Sequence, residues 1–176
     1  MTANVAFEIL YKEYYVRVFG LCRRLLNSVP LAEDATQETF MRAYRNFDKY
    51  DSSQPFWQWI ASIANNHCVD VLRRRSRATR LFGEEQEETE LLESKDKHIT
   101  TLIADVEDSD ALTSAIDQLP DKYRVPIVLA YFNDRTYEQI AEDLSISRNH
   151  VGVLLLRAKQ QLRTSLADEG MREFRP

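Results

Sequence analysis

The stretch from Tyr137 to Leu162 has the residue spacing of two helices joined by a tight turn. Its inward-facing apolar positions are Ile140, Ala141 and Leu144 in the first helix, Ile146 in the turn, and Val151, Leu154 and Ala158 in the second helix. Two helices packed in this way form a helix-turn-helix, which presents its second helix to the major groove of duplex DNA. Helical hairpins of the same geometry also occur as purely structural pairs, so this pattern alone leaves both interpretations open.

Capping residues predict where both of these helices begin. Thr136 followed by Gln139 has the pattern of a capping box, and Ser147 is a favourable N-cap for the second helix. Ser145 stands in the turn where many such motifs have Gly, because the chain there enters the left-handed backbone region. We therefore expect the second, recognition helix to begin directly after Ser147.

Helical spacing extends over nearly all of the 176 residues, and Gly and Pro are scarce. These features predict an all-α fold. We expect two small helical domains, residues 1–80 and 109–168, joined by a linker at 81–108 and followed by a tail at 169–176. The chain is expected to be frayed after Leu166.

Prolines and apolar stripes indicate the order of the helices. In the first domain they predict three helices, the second opened by Pro30 and the third running from about Pro55 to Arg77. In the second domain, Pro120 ends a short helix. Pro126 lies inside the next apolar run, so that helix either begins close to Pro126 or bends there.

Charge is distributed unevenly along the chain, although the net charge is only −5. Residues 1–80 hold 12 Lys and Arg against 8 Asp and Glu, whereas residues 81–110 hold 2 against 11. Residues 111–176 are balanced, with 9 of each kind. The acidity is therefore concentrated in the predicted linker, and the composition leaves a nucleic-acid partner open for the flanking domains.

The two cysteines, Cys22 and Cys68, fall on separate predicted helices and are interpreted as buried free thiols in a reducing cytoplasm. His67 is adjacent to Cys68, but neighbouring helical residues point about 100 degrees apart and no further ligands stand at metal-binding spacing. We therefore expect neither a metal site nor a cofactor. No apolar run reaches the roughly 18 residues that span a bilayer, and the N-terminal stretch carries no export signal. A cytoplasmic location without membrane insertion is expected.

The predicted third helix begins with aromatic residues and ends with basic ones. Its candidate nucleic-acid residues are Trp57, Trp59, Asn65, Asn66, Asp70, Arg73, Arg74 and Arg77. Aromatic faces receive unstacked bases, amides read base edges and guanidinium groups hold phosphates, a combination that suits melted DNA better than intact duplex. The alternative is that the tryptophans belong to the core and the arginines complement the dipole at a helix C-terminus.

The predicted recognition helix directs several polar residues away from its packing stripe. The outward-facing residues are Arg148, Asn149, His150, Val153 and Arg157. The first three lie in the first turn, which is the part that enters the groove in this motif. Lys159 and Arg163 are placed to follow phosphates, whereas Arg157 has the alternative of pairing with an acidic neighbour.

Three ordered segments carry a resemblance to a known protein family. They are Ala32 to Tyr44 (AEDATQETFMRAY), Trp59 to Arg74 (WIASIANNHCVDVLRR) and Leu119 to Arg124 (LPDKYR), the last lying ahead of the helix-turn-helix. With the acidic linker before the third segment, the chain resembles a bacterial RNA polymerase sigma factor of the extracytoplasmic-function (ECF) group of the sigma-70 family. The resemblance spans nearly the whole chain.

This resemblance implies a role for each predicted surface. The second helix would dock on the clamp helices of the polymerase β′ subunit through Asp34, Gln37, Glu38 and Arg42. The third helix and the turn before it would recognise and open the −10 element through the eight residues given above. The second domain would contact the β flap and read the −35 element through Arg148, Asn149, His150, Val153, Arg157 and Lys159. Such proteins usually have an anti-sigma factor as a partner, although no residue here identifies one.

Gly152 departs from the resemblance, because members of the group often carry a basic or hydroxyl residue at this point of the recognition helix. Gly costs about 1 kcal/mol relative to Ala inside a helix. Either the backbone approaches DNA closely at Gly152, or the contacts with the −35 element differ from the usual ones.

Two other classes of function remain open from the sequence. A stand-alone helix-turn-helix regulator would bind duplex operators without a polymerase, but it leaves the aromatic and basic third helix unexplained. A helical nuclease would need a convergent set of carboxylate or histidine ligands, and the sequence shows no such set. Binding to core polymerase is the observation that separates a promoter-specificity subunit from both.

Overall fold

The computed structural model describes residues 3–76, 81–83 and 110–173. Within these ranges the chain forms seven α-helices, one short 3-10 helix and no strand, which confirms the predicted all-α fold. The chain divides into two units, Met1–Thr79 and Arg80–Pro176. Each unit is described by itself below.

The first unit is a three-helix bundle. Its elements are α1 (Ala3–Leu26), α2 (Val29–Arg45), a 3-10 helix (Phe47–Lys49) and α3 (Phe56–Arg75). Each of the three α-helices packs against the other two. The core includes Val18, Leu21, Leu25, Ala32, Ala35, Ala43, Ile60, Ala64 and Leu72. Asn27 ends α1 with a left-handed φ of 49°, which Asn tolerates better than most residues. Pro30 lies in the first turn of α2, as predicted, where no N–H is needed.

Small polar side chains fill part of the space between these three helices. The hydroxyls of buried Thr36 and Thr39 donate to the backbone carbonyls four residues earlier, at 2.6 and 2.7 Å. The two threonines are therefore buried without losing a hydrogen bond. Cys22 and Cys68 are free and buried, as predicted. Their thiols hydrogen-bond to each other, and this bond together with burial raises the pKa of Cys68.

The second unit is built around one long helix. Its elements are α4 (Asp110–Asp117), α5 (Asp121–Tyr131), α6 (Tyr137–Leu144) and α7 (Arg148–Glu173). Helix α7 packs against the other three, and α5 also packs against α6. The core includes Leu112, Ile116, Val125, Ile127, Leu129, Ile140, Leu144, Val151, Leu154, Leu155, Ala158 and Leu162.

The structure gives the limits of two helices that the sequence left open or misplaced. Of the two alternatives for Pro126, a helix that begins close to it is excluded, because α5 begins at Asp121 and passes through Pro126, whose ring is buried. Helix α7 continues to Glu173 instead of fraying after Leu166, since the following residues include strong helix formers such as Ala167 and Met171. In the first unit, α3 ends at Arg75. Arg77 and residues 84–108 of the predicted linker at 81–108 lie outside the described residues.

Arg124 fastens the turn between α4 and α5. Its side chain is only 4% exposed, and its Nη1 donates to the carbonyl oxygen of Leu119 at 3.0 Å. Its Nη2 pairs with the carboxylate of Asp121. A guanidinium is buried at acceptable cost only when fixed acceptors surround it, so these contacts give the LPDKYR segment a structural role.

Candidate nucleic-acid interface

The helix-turn-helix has the predicted caps. The side chain of Thr136 accepts a hydrogen bond from the amide of Gln139 at 3.2 Å, and the side chain of Gln139 accepts one from the amide of Thr136 at 2.9 Å. The hydroxyl of Ser147 accepts from the amide of His150 at 3.1 Å. Ser145 adopts φ 56° and ψ 46°, the left-handed conformation expected of the turn. The capping box and the turn residue predicted from the sequence are therefore confirmed.

An ion pair fixes the segment that leads into the helix-turn-helix. Arg135 donates through Nε and Nη2 to the two carboxylate oxygens of Asp143, at 2.9 and 2.8 Å. The side chain of Asp143 is 8% exposed, and the amide of Arg135 donates to the carbonyl of Leu129 in α5. Two parallel charge-assisted bonds fix both the distance and the orientation of their partners. The segment between α5 and α6 is thus fastened to both helices.

The outer side of α7 carries the residues predicted to read DNA. Arg148 and Asn149 are exposed in its first turn, whereas His150, Val153, Arg157 and Lys159 are half-buried. The opposite side of α7 is occupied by core residues such as Val151, Leu154 and Leu155. The structure therefore leaves the first turn accessible, and Arg148 and Asn149 are the most exposed candidates. Leu156, which the sequence interpretation omitted, is also half-buried on this helix.

Arg148 is held by two residues of α6. Its Nε donates to the carboxylate of Glu138 at 2.5 Å, and its guanidinium carbon lies 5.5 Å from the centre of the Tyr137 ring. The same ring faces Gly152, where an added Cβ would lie 3.9 Å from the nearest ring carbon. The side of Gly152 that lacks a Cβ therefore faces Tyr137.

Helix α2 exposes a polar face in the first unit. Asp34 and Gln37 are exposed, and Glu38 and Arg42 are half-buried one and two turns further along. The Nε of Arg42 donates to the carboxylate of Glu38 at 2.6 Å. This hydrogen bond is the main cause that lowers the pKa of Glu38. The four predicted docking residues therefore share one accessible face.

His67 lies close to the predicted docking face of α2 and to the predicted DNA-binding residues of α3. The sequence interpretation missed this position. Burial lowers the pKa of its imidazole, and the charges of Arg42 and Arg74 act in the same direction. Glu38 and Asp70 act in the opposite direction. Helix α3 thus brings His67 within electrostatic reach of the polar face of α2. The spacing of His67, Asp70 and Arg74 on one side of a helix was the available signal.

Trp57 contacts two residues of α1. The guanidinium carbon of Arg17 lies 3.8 Å from the centre of the Trp57 ring, and the ring of Tyr14 is stacked on it at 6.5 Å with an interplanar angle of 14°. Trp57 remains half-buried. The sequence interpretation missed Arg17, because a contact between residues 40 positions apart leaves no local pattern.

Trp59 has a different environment. Its ring lies 5.1 Å from Tyr50, 5.7 Å from Phe56 and 6.5 Å from Phe47. These contacts pack the 3-10 helix and the following turn against the start of α3. Trp59 is half-buried, like Trp57. These contacts give Trp59 a packing role, and its contact with bases stays a prediction.

The polar residues of α3 do not all lie on one surface. Asn66, Asp70 and Arg74 are exposed and Arg73 is half-buried. Asn65 is fully buried, and neither polar atom of its amide has a partner among the described residues. The expectation that Asn65 reads a base edge is therefore corrected, because the helical repeat places it on the core side together with Ala61, Cys68 and Leu72.

The described ranges lack two further features. Among these residues, no three His, Cys, Asp or Glu side chains are grouped so that they could hold a metal ion. None of the helices described in these ranges is both long and apolar enough to cross a membrane.

Comparison with known proteins accounts for both units. The family model described as Sigma-70 region 2 matches residues 10–78, and the one described as Sigma-70, region 4 matches residues 109–162. The ECF RNA polymerase sigma factor SigW of Bacillus subtilis is 32% identical over 169 residues, which cover 93% of this chain and 90% of SigW. The chain is a sigma factor of the ECF group. Its function is transcription initiation, in which sigma factors bind core RNA polymerase and promoter DNA.

Other comparisons agree with this assignment. The sigma factor resembles SigM of Bacillus subtilis with 29% identity over 155 residues, which cover 88% of this chain and 91% of SigM. Its fold is similar to that of the sigma factor RpoE of Bartonella quintana, solved in complex with the anti-sigma factor NepR. The TM-score is 0.59 at 19% identity, with 92% of this chain and 97% of RpoE covered. Because both units match sigma regions, a stand-alone helix-turn-helix regulator is not favoured.

Proposed function

We propose that this sigma factor directs core polymerase to promoters that have two separate recognition elements. Helix α7 reads the −35 element from the major groove, and α3 with its preceding turn recognises and opens the −10 element. The observation that supports this most directly is the capped helix-turn-helix, whose recognition helix exposes Arg148 and Asn149 in its first turn. That turn is the part of the motif that contacts base edges.

The first unit combines polymerase docking with strand opening in this proposal. The exposed side chains of Asp34 and Gln37, with the Glu38–Arg42 pair, form the surface that docks on the clamp helices of the β′ subunit. On α3, the cations of Arg73 and Arg74 contact phosphates, which supply most of the sequence-independent affinity for DNA. In the sequence, Arg77 continues the basic cluster that contains Arg73 and Arg74, although Arg77 lies outside the described residues.

Trp57 is the aromatic residue that we assign to the opened strand. Arg17 covers one face of its ring, so a base that stacks there displaces the guanidinium. The displaced cation is then available to hold the neighbouring phosphate. Stacking of a base on an aromatic ring tolerates any base, which suits a residue that stabilises melted DNA.

We further propose that the second unit contacts the β flap and that an anti-sigma factor controls the protein. The first of these follows from the resemblance of this unit to sigma region 4. The second is supported by the RpoE structure, in which a sigma factor of similar fold is bound to an anti-sigma factor. The protein would act in the cytoplasm, without cofactor and without catalysing a reaction of its own.

Site-specific crosslinking tests the assignment of the two helices. A photoreactive residue is placed at Asn149 in α7 or at Arg74 in α3, and the protein is assembled with core polymerase on a promoter. We expect position 149 to crosslink to the upstream element and position 74 to the downstream element. Val5, which is 47% exposed on α1 and three turns from Arg17, serves as the control position and is expected not to crosslink to DNA. Crosslinking of positions 149 and 74 to the same element would contradict the proposal.

A further inference from the structure

The contact between Glu138 and Arg148 links the two helices of the helix-turn-helix at its exposed edge. The carboxylate of Glu138 accepts a hydrogen bond from Nε of Arg148 at 2.5 Å. In the part of the chain that the structure describes, no side chain or carbonyl occupies the two Nη groups of Arg148. Arginine has five donors in a rigid, planar fork, so fixing Nε also fixes the direction of the two Nη groups. Those two groups can pair with O6 and N7 of a guanine.

The ring of Tyr137 restricts the position of the Arg148 guanidinium from a second side. Its ring centre lies 5.5 Å from the guanidinium carbon, and the ring also lies against Gly152 on α7. Residue 152 has no side chain, so nothing at that position separates the ring from the helix surface. The guanidinium is thus bounded by the carboxylate of Glu138 and the ring of Tyr137, both supplied by the first turn of α6.

The exposure of this pair argues against a role in stability. The side chains of Arg148 and Glu138 are 58% and 63% exposed. Ion pairs at that exposure contribute little to folding, because water and salt screen them. Hydrogen bonds from its own backbone amide and from Arg148 lower the pKa of Glu138 and so favour its ionised form. The negative charge of Glu138 also repels DNA phosphates. It therefore disfavours conformations in which Arg148 turns towards the DNA backbone.

We infer that Glu138 is a positioning residue that holds Arg148 for base reading and thereby sets the base preference at one position of the upstream element. This inference rests on the proposed function, because it assumes that α7 lies in the major groove of that element. Without the carboxylate, the guanidinium is free to contact phosphates, which carry no sequence information. Affinity for unrelated DNA then rises while discrimination between bases falls.

The test uses the full-length protein assembled with core polymerase. Wild type, Glu138→Gln, Arg148→Ala and the double variant are each used to select DNA from a library randomised in the upstream element. Base discrimination is measured at every position of the selected element. Glu142→Gln is the matched control, because it removes the same charge from α6 and Glu142 has no ion pair within the described residues. Thermal unfolding of each variant shows that the fold is retained.

We expect Glu138→Gln to lose about fivefold or more in discrimination at a single base pair. The affected base pair is the one at which Arg148→Ala loses discrimination. Adding Glu138→Gln to Arg148→Ala is expected to reduce base discrimination no further than Arg148→Ala alone does. Glu142→Gln is expected to keep the wild-type base preference. Equal discrimination by wild type and Glu138→Gln would overturn the inference, as would an undiminished effect of Glu138→Gln in the Arg148→Ala background. A wild-type protein that binds core polymerase but selects no upstream element would overturn the proposed function, and this inference with it.

Discussion

Arg17 and Trp57 join α1 to the first turn of α3 through a stacked contact of 3.8 Å between the guanidinium carbon and the ring centre. A base that stacks on this face of Trp57 has to displace the guanidinium of Arg17. Trp59, two residues further, instead packs against Tyr50 and Phe56. The two tryptophans therefore differ in their surroundings, although they are equivalent in the sequence pattern.

Replacing Trp57 with Ala is expected to reduce promoter opening while leaving the affinity for core polymerase unchanged. Each base stacked on an aromatic side chain contributes about 1 to 3 kcal/mol, so opening falls roughly fivefold or more. The measurement is the reactivity of unpaired thymines in the downstream element. Gln58→Ala is the control, because Gln58 is exposed next to Trp57. If the Trp57→Ala protein opens promoters as well as wild type does, the role of Trp57 is only to pack against α1.

Replacing Asp34 and Gln37 together with Ala is expected to weaken binding to core polymerase by roughly tenfold, in the range of moderately important interface residues. Both side chains are exposed, so the helical content and unfolding temperature remain those of wild type. Titration of labelled protein with core polymerase gives the affinity. Glu33→Ala removes a neighbouring exposed carboxylate and is the control. If the double variant binds as tightly as wild type, the docking surface lies elsewhere.

His67 is expected to make the stability of the first unit depend on pH. Its pKa in the folded protein is below the ordinary value of 6.5, because the imidazole is partly buried. As the pH falls below that value, the unfolded chain takes up a proton that the folded chain does not, so the free energy of unfolding decreases. His67→Gln is expected to abolish this decrease between the folded pKa and 6.5.

The first unit provides its own probe for that measurement. Both tryptophans of the chain lie in it, and His67 is its single histidine in the sequence. Urea unfolding followed by tryptophan fluorescence therefore reports on this unit alone. Identical pH profiles for wild type and His67→Gln would show that His67 is protonated equally in the folded and unfolded states.

Replacing Gly152 with Ala is expected to stabilise the second unit by about 1 kcal/mol, because Ala has the higher helix propensity. The added methyl group would lie 3.9 Å from the Tyr137 ring, which is an ordinary van der Waals contact. Hydrogen exchange of the amides in α6 and α7 measures the change in this unit. Faster exchange in the variant would instead indicate that the Tyr137 ring needs the space.

The local features of this fold could be predicted from the sequence, and the long-range contacts could not. Thr136, Gln139 and Ser147 act as caps because each bonds to a backbone amide within three residues, so their spacing is sufficient information. The contact of Arg17 with Trp57 depends on how two helices cross, which no local pattern records. Asn65 was misjudged for another reason. Its polarity suggested a surface position, whereas the helical repeat shared with Ala61 and Leu72 places it in the core.

The central claim is that this protein makes core polymerase start RNA synthesis at promoters of one kind. Its most direct test is mapping of RNA 5′ ends produced by core polymerase on fragmented genomic DNA, with and without the purified protein. We predict that a discrete set of start points appears only with the protein, each preceded by the same pair of separated sequence elements. An unchanged set of 5′ ends, from polymerase that has demonstrably bound the protein, would contradict the account.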